Sequence, residues 1–403
     1  MNFRTCLLLL SVPLLTIACA DDDTFSTDND SVFPDTTTGN DDTNNSGTEI
    51  SVSELGRLLF YDPILSGNRE VTCATCHHPD QGYADGRALS LGVDATGLGP
   101  NRTPNNAGEV LGFVSRNSPT ILNTAFNGMD EEGIFNPATA PMFWDSRAQS
   151  LEEQALLPIA NFEEMRGHAF DEAIAVDSIL QRLRDNATYT DLFTGAFGSS
   201  TAISSENLAR AIAEFERSLT ATDSPWDKFQ AGNANAVSQA AQRGFNTFNQ
   251  TGCDDCHSGP MFSDYELHTL GVPDNNQLDT PDRGANNDFA FRTPTLRNLD
   301  ETGPYFHGGV GGDLAETVRF YDTARRFANG GGNNPPGGNG LAVNPNVTRQ
   351  QIDNEVRDLQ GLNNQEVQDI VAFLEALSDP DFDRTVPTSV RSRDRSGLPV
   401  GGL

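Results

Sequence analysis

Basic side chains are scarce in this chain. Lys and Arg number 26 against 57 Asp and Glu, which leaves a formal net charge of −31. Contacts to phosphate need clustered cations, so nucleic acid is excluded as a partner. The charge favours solubility and could steer a basic partner. Cysteine is also sparse. Of six residues, Cys6 and Cys19 lie near the N-terminus and the other four fall in two short motifs. No cysteine is left over for a structural disulfide in the body of the chain. Apolar runs are short, and none spans the ~20 residues that a membrane-crossing helix needs. Alternating strand patterns are almost missing, so the expected fold class is mainly α. Gly (37) and Pro (22) are plentiful, which suits a loop-rich protein.

The four remaining cysteines stand in Cys73-Ala74-Thr75-Cys76-His77 and Cys253-Asp254-Asp255-Cys256-His257. C-x-x-C-H is the attachment signature of c-type haem: two thiols add to the porphyrin vinyls and the following His ligates the iron. Two C-x-x-C pairs could instead close a zinc site or act as redox disulfides. Neither alternative needs a His directly after the second Cys, and both pairs have one. Two covalent haems c are therefore expected, with His77 and His257 as proximal iron ligands. His78, next to a ligand, is read as a surface residue.

Residues 1–18 combine Arg4 with a short apolar run and read as a lipoprotein-type signal peptide. Thr16-Ile17-Ala18-Cys19 resembles a lipobox, in which Cys19 would carry a membrane-anchoring lipid; plain cleavage nearby is the alternative. Either route exports the chain to the periplasm or cell envelope. Residues 19–49 are polar and read as a disordered tether. Two haem domains are expected, at 50–223 and 224–390, followed by a tail at 391–403.

Ser51 to Glu54 has capping-box spacing ahead of Leu55, Leu58 and Leu59. Leu151 to Leu157 looks helical and is expected to stop near Pro158. Leu208, Ile212, Phe215 and Leu219 form one helical face. Phe245 and Phe248 belong to a helix entering the second motif. Val367, Ile370, Val371, Leu374 and Leu377 mark a last amphipathic helix. The Gly- and Asn-rich segment from Gly330 to Gly340 reads as a tolerated insertion.

With two such motifs, the chain resembles the bacterial di-haem cytochrome c peroxidase family, including its MauG branch. The likeness covers roughly residues 50–380. It rests on Leu55-Gly56-Arg57, Arg116-Asn117-Ser118-Pro119-Thr120, Phe143-Trp144-Asp145-Ser146-Arg147-Ala148, Glu153-Gln154-Ala155, Pro294-Thr295-Leu296-Arg297-Asn298 and Pro304-Tyr305-Phe306-His307-Gly308. The resemblance implies two cytochrome c-like lobes, each holding one covalent haem. It implies that Glu164 is a general acid/base at the first haem, with Gln154 orienting peroxide and Pro158 walling the pocket. An ordinary surface carboxylate is the plainer reading of Glu164. Other peroxidases of the family carry a second His in the loop ahead of the Asn-Ser-Pro-Thr stretch. Here Leu89 to Arg116 contains none, which implies an open first iron as in the MauG branch.

At the second haem the family's register puts Tyr321 in the place of the distal ligand, usually Met; a packed aromatic is the plainer alternative. Trp144 would lie between the haems as an electron relay. A Ca²⁺ ion between them would take Asn117 and the carbonyls of Thr302 and Pro304. Arg297, His268 and His307 are candidates for propionate contacts and are treated as structural. The activity implied is reduction of hydrogen peroxide at the N-terminal haem. Electrons would come through the C-terminal haem from a cytochrome or cupredoxin. Alternatives are MauG-like oxidation of a protein substrate and a non-enzymatic electron-transfer cytochrome.

Overall fold

The computed structural model describes residues 50–105 and 112–389. The expected signal peptide, the lipidated Cys19, the tether and the 391–403 tail lie outside the described residues, as do positions 106–111 of the His-free loop. The described chain is mainly helical, as the sequence suggests. Its two strand pairs are each two residues long: Ala95–Thr96 with Thr103–Pro104, and Leu267–His268 with Phe291–Arg292, both antiparallel. No described helix is long and apolar enough to cross a membrane.

Six helices position the motifs: α1 (Val52–Phe60), α2 (Leu151–Ala160), α3 (Ser205–Ser218), α4 (Gln239–Gln250), α5 (Leu314–Ala328) and α6 (Asn364–Glu375). Helix α1 starts where the Ser51 side chain accepts from Glu54 N at 3.0 Å. The reciprocal half of the expected capping box is not made. The Glu54 carboxylate turns to Arg57 instead, because an arginine one turn on offers a bidentate partner. Leu55, Leu58 and Leu59 are buried against α3, whose Leu208, Ile212 and Phe215 face them, with Leu219 just past the helix end. Each such side chain contributes roughly 1.5–3 kcal/mol on burial.

Glycine sets two helix crossings. A Cβ on Gly56 of α1 would collide with the Ala211 carbonyl of α3, and one on Gly244 of α4 would collide with the Asp369 carbonyl of α6. Both pairs thus approach backbone to backbone. The cores divide accordingly. One cluster joins Leu55, Ile64, Leu183, Phe193, Leu208 and Ile212, and another joins Trp226, Phe248, Val367, Ile370, Phe373 and Leu377. The C-terminal segment crosses this division. Phe382 packs with Phe60, Tyr83 and Phe215, and Tyr83 donates to the Asp383 carbonyl at 2.8 Å.

Helix α2 runs through Pro158 to Ala160 rather than stopping before it. The proline lies in the last turn, where the missing N–H removes one bond but the remaining turn still closes through Asn161 N to Leu157 O.

Candidate haem sites

Both motifs hold their histidine in the same way. His77 Nδ1 lies 3.1 Å from the Tyr83 carbonyl, and His257 Nδ1 lies 3.1 Å from the Phe262 carbonyl. A carbonyl only accepts, so Nδ1 carries the proton and Nε2 keeps its lone pair for a metal. Tyr83 (φ 56°) and Phe262 (φ 53°) both adopt left-handed backbone, which turns their carbonyls back toward the ring. Burial lowers the pKa of both histidines, that of His257 to about 4, so each stays neutral as a ligand must.

A second device repeats beside each histidine. Ser118-Pro119-Thr120 follows the first motif and Thr293-Pro294-Thr295 the second. Thr120 donates to the Gly82 carbonyl at 2.6 Å and Thr295 to the Met261 carbonyl at 2.7 Å. Three residues after each of these threonines stand Asn123 and Asn298. Their backbone N–H groups bond the ends of α3 and α6 at Leu219 O and Leu377 O. Both asparagines are left-handed. The sequence reading placed these stretches separately. The spacing Pro-Thr-x-x-Asn was the signal that they are one repeat.

The four thiols do not converge. Clusters of potential metal-binding groups among the described residues include Cys256 but never a cysteine from each motif, so one shared tetrahedral zinc site is not formed. Burial raises the thiol pKa of Cys73, that of Cys76 to about 12 and that of Cys253 to about 11. Such uncharged thiols in apolar surroundings suit thioether formation better than a thiolate site.

Beyond the histidines the two sites differ. At the first, Asn161 ends α2 and its Oδ1 accepts from the N–H groups of Glu163 and Glu164, at 3.0 and 3.1 Å. This presents Glu164 within charge-interaction range of Cys73 and Cys76. Burial pushes its carboxyl up to about 7; Arg147 works against the shift and Glu163 adds to it. The loop without histidine lies against the same turn. Val93 N donates to the Glu164 carbonyl at 3.0 Å, and Gly92 leaves no room for a Cβ beside the Glu163 and Glu164 carbonyls. Arg102 pins this loop through the carbonyls of Leu91, Gly92 and Gly97. Gln154 and Pro158 sit one turn apart on α2, and Gln154 Oε1 is buried without a partner.

At the second site, Tyr321 of α5 faces His257 across a gap. Their ring centroids are 6.5 Å apart at an interplanar angle of 72°. Both line a largely apolar cavity with Cys253 and Cys256. Burial raises the Tyr321 phenol well above its ordinary pKa, and no cation of the described residues counters it. Cavity, paired thiols, a neutral imidazole and an opposed phenol fit a haem, which Cys253, Cys256, His257 and Tyr321 would hold. The first motif would hold one through Cys73, Cys76 and His77.

Trp144 lies between the two halves. Its indole N–H donates to the Asn117 carbonyl at 2.9 Å and its carbonyl accepts from Arg292 N at 2.7 Å. The three residues expected to hold Ca²⁺, Asn117, Thr302 and Pro304, line the same cavity. Asn117 Nδ2 is used on the Arg87 carbonyl, which leaves Oδ1 as the atom for an ion. The donor set is all oxygen and fits a hard cation.

Of the propionate candidates, Arg297 grips Asp227 through two 2.9 Å bonds, and His268 is clamped between Asp264 and Asp353 at 2.9 Å each. His307 stacks on Phe291 at 3.6 Å. His78 is buried rather than on the surface: its Nδ1 accepts from Asp80 N and caps the turn at Pro79. Sequence reading also missed Glu216. It is buried on α3 with Oε2 unpartnered, and its charge acts on Cys73. A glutamate inside an otherwise apolar helical face was the available signal.

The family model described as di-haem cytochrome c peroxidase matches residues 51–235. Methylamine utilization protein MauG of Methylophilus methylotrophus is 32% identical over 81% of this chain and 82% of its own length. Cytochrome c551 peroxidase of Nitrosomonas europaea is 31% identical over 82% of this chain and 81% of its own. A solved MauG-like protein associated with microbial copper homeostasis superposes with a TM-score of 0.63 at 26% identity, covering 82% of this chain and 89% of that one. With a repeated histidine cradle in each half and likeness over four fifths of its length, the chain belongs to the di-haem cytochrome c peroxidase family and is an oxidoreductase of that family.

Proposed function

We propose that the protein reduces hydrogen peroxide to water at the first site, drawing two electrons per peroxide through the second site from a small cytochrome or cupredoxin and two protons from solvent. The carrying observation is Glu164: a partly buried carboxyl with its pKa near 7, fixed beside the first motif by a loop that contains no histidine. Haem held by Cys73, Cys76 and His77 would supply the iron and electrons for cleavage of the O–O bond. Glu164 takes the proton from one peroxide oxygen and returns it to the other, which leaves as water. A carboxyl with a pKa near the working pH does both with little driving-force penalty. Gln154 orients the peroxide from α2, and Pro158 walls the pocket. Trp144, bonded to both halves, is the aromatic bridge for electrons. Tyr321 and His257 would hold the second haem. Ca²⁺ at Asn117, Thr302 and Pro304 would lock the interface between them. The two haem domains are proposed at 50–223 and 224–390. Export as a lipoprotein through Cys19 belongs to the same reading.

Tyr321 favours a second reading, because a hard anionic ligand supports higher oxidation states. In that case a protein substrate is oxidised at its surface, as in the MauG branch. One experiment separates the readings: stoichiometric peroxide is added to the diferric protein, with and without a reduced cytochrome. Fast turnover with the cytochrome supports the peroxidase. A long-lived oxidised state that the cytochrome does not discharge supports protein oxidation. Inertness toward peroxide contradicts both and leaves an electron-transfer cytochrome.

A further inference from the structure

Arg292 is a cation without an anion. It is buried, and burial pulls its pKa below the usual arginine value, with only the Tyr265 phenol acting the other way. Among the described residues no carboxylate lies within ion-pair reach of it. Its neighbours differ: Arg116 grips Asp282 and Asp145, and Arg297 grips Asp227. The Arg292 Nε donates to the Phe143 carbonyl at 3.0 Å, while the contact of Nη1 with the Thr293 carbonyl is long, at 3.5 Å. A buried charge of this kind persists when something anionic joins it.

A second orphan stands beside it. The Tyr265 hydroxyl is buried with no partner, and Arg292 Cζ lies 5.7 Å from the centroid of its ring. The charges that act on this phenol are Arg292 and Arg297. Arg292 also lines the cavity that holds Cys253, Cys256, His257 and Tyr321. A ligand of that cavity with a carboxylate on its rim would meet Arg292, beside which the Tyr265 ring stands.

We propose that Arg292, assisted by the Tyr265 hydroxyl, receives a propionate of the second haem and ties its charge to the inter-haem bridge. This rests on the reading of Cys253 to His257 as a haem site. The tie is made of short bonds. The backbone N–H of Arg292 donates to the Trp144 carbonyl and its Nε to that of Phe143. In the first half the equivalent position, one residue before Ser118-Pro119-Thr120, is Asn117, which accepts from the Trp144 indole. Trp144 is thus held by matching positions of the two repeats, and only the second position is a cation.

The test is the midpoint potential of the second haem in the holoprotein, read by spectroelectrochemistry, with haem content counted by pyridine haemochrome. Removing the cation stabilises the ferric form. Arg292→Gln should therefore lower the ferrous/ferric ratio roughly tenfold at fixed electrode potential, about 59 mV for a one-electron couple. Arg292→Lys should recover part of this, and Tyr265→Phe should shift the potential the same way by less. Arg292→Gln with two haems and an unchanged second potential would overturn the proposal and leave Arg292 as a brace for Phe143. If that variant does not fold, an unchanged potential in Tyr265→Phe overturns the shared propionate site instead. Fewer than two haems in the wild-type protein would sink the haem reading itself, a distinguishable failure.

Discussion

The two halves of this protein share one cradle and differ on the opposite face. Each places a helix crossing at a glycine, a histidine pinned by a left-handed residue, and a Pro-Thr-x-x-Asn turn tied to the last helix. What stands near each motif then diverges. The first half offers an acid on a turn after α2, the second a phenol on α5. On the proposed reading, the repeated parts would hold the cofactor and the unrepeated parts would decide whether it reacts or relays. A carboxyl that can shuttle protons is useful only where a substrate can enter, whereas an opposed phenol occupies that space.

The comparison breaks most visibly if the acid is removed. Glu164→Gln should lower kcat/KM for peroxide by roughly 10²–10⁴-fold, about 3–5 kcal/mol of barrier. The spectrum of the second haem should stay unchanged. In the wild type the carboxylate form accepts the first proton, so the rate should rise with pH through about 7. That limb should vanish in the variant, as a stopped-flow pH profile would show.

Glu216 gives the next effect, on stability. Its carboxyl is pushed up to about 8 by burial, while an unfolded Glu titrates near 4.3. Between those values the native state binds more protons than the unfolded one, so stability falls as pH rises across that window. Glu216→Gln should therefore raise the melting temperature at pH 8.5, by up to a few kcal/mol of stability. At pH 4 it should change little. The second half has no such carboxyl at the matching helix end, where Leu374 and Leu377 stand.

The glycine crossings should respond alike if the halves are true repeats. Gly56→Ala and Gly244→Ala each force a backbone carbonyl aside and should cost about 1–3 kcal/mol. Differential scanning calorimetry would show whether the two losses match. A large loss in one and none in the other would mean that the crossings are not equivalent.

Much of this was legible in the sequence because it depends on local spacing. C-x-x-C-H names its own chemistry, and Leu208, Ile212 and Phe215 announce a buried face through helical period alone. The partnership of Tyr321 with His257 spans 64 positions and came only through family register. Arg292 was invisible because its meaning lies in what does not surround it. Arg297, five residues on, looks the same in sequence yet is paired with Asp227. His78 misled for a related reason: a His beside a ligand reads as exposed, but its ring caps a turn and is covered.

The central claim, one open face and one closed, is tested most directly by titrating the diferric holoprotein with cyanide, without prior reduction, and counting equivalents bound. The account predicts one equivalent at the first haem, and a second accepted only when Tyr321 is replaced by Phe. No binding before reduction, or two equivalents in the wild-type protein, would contradict it.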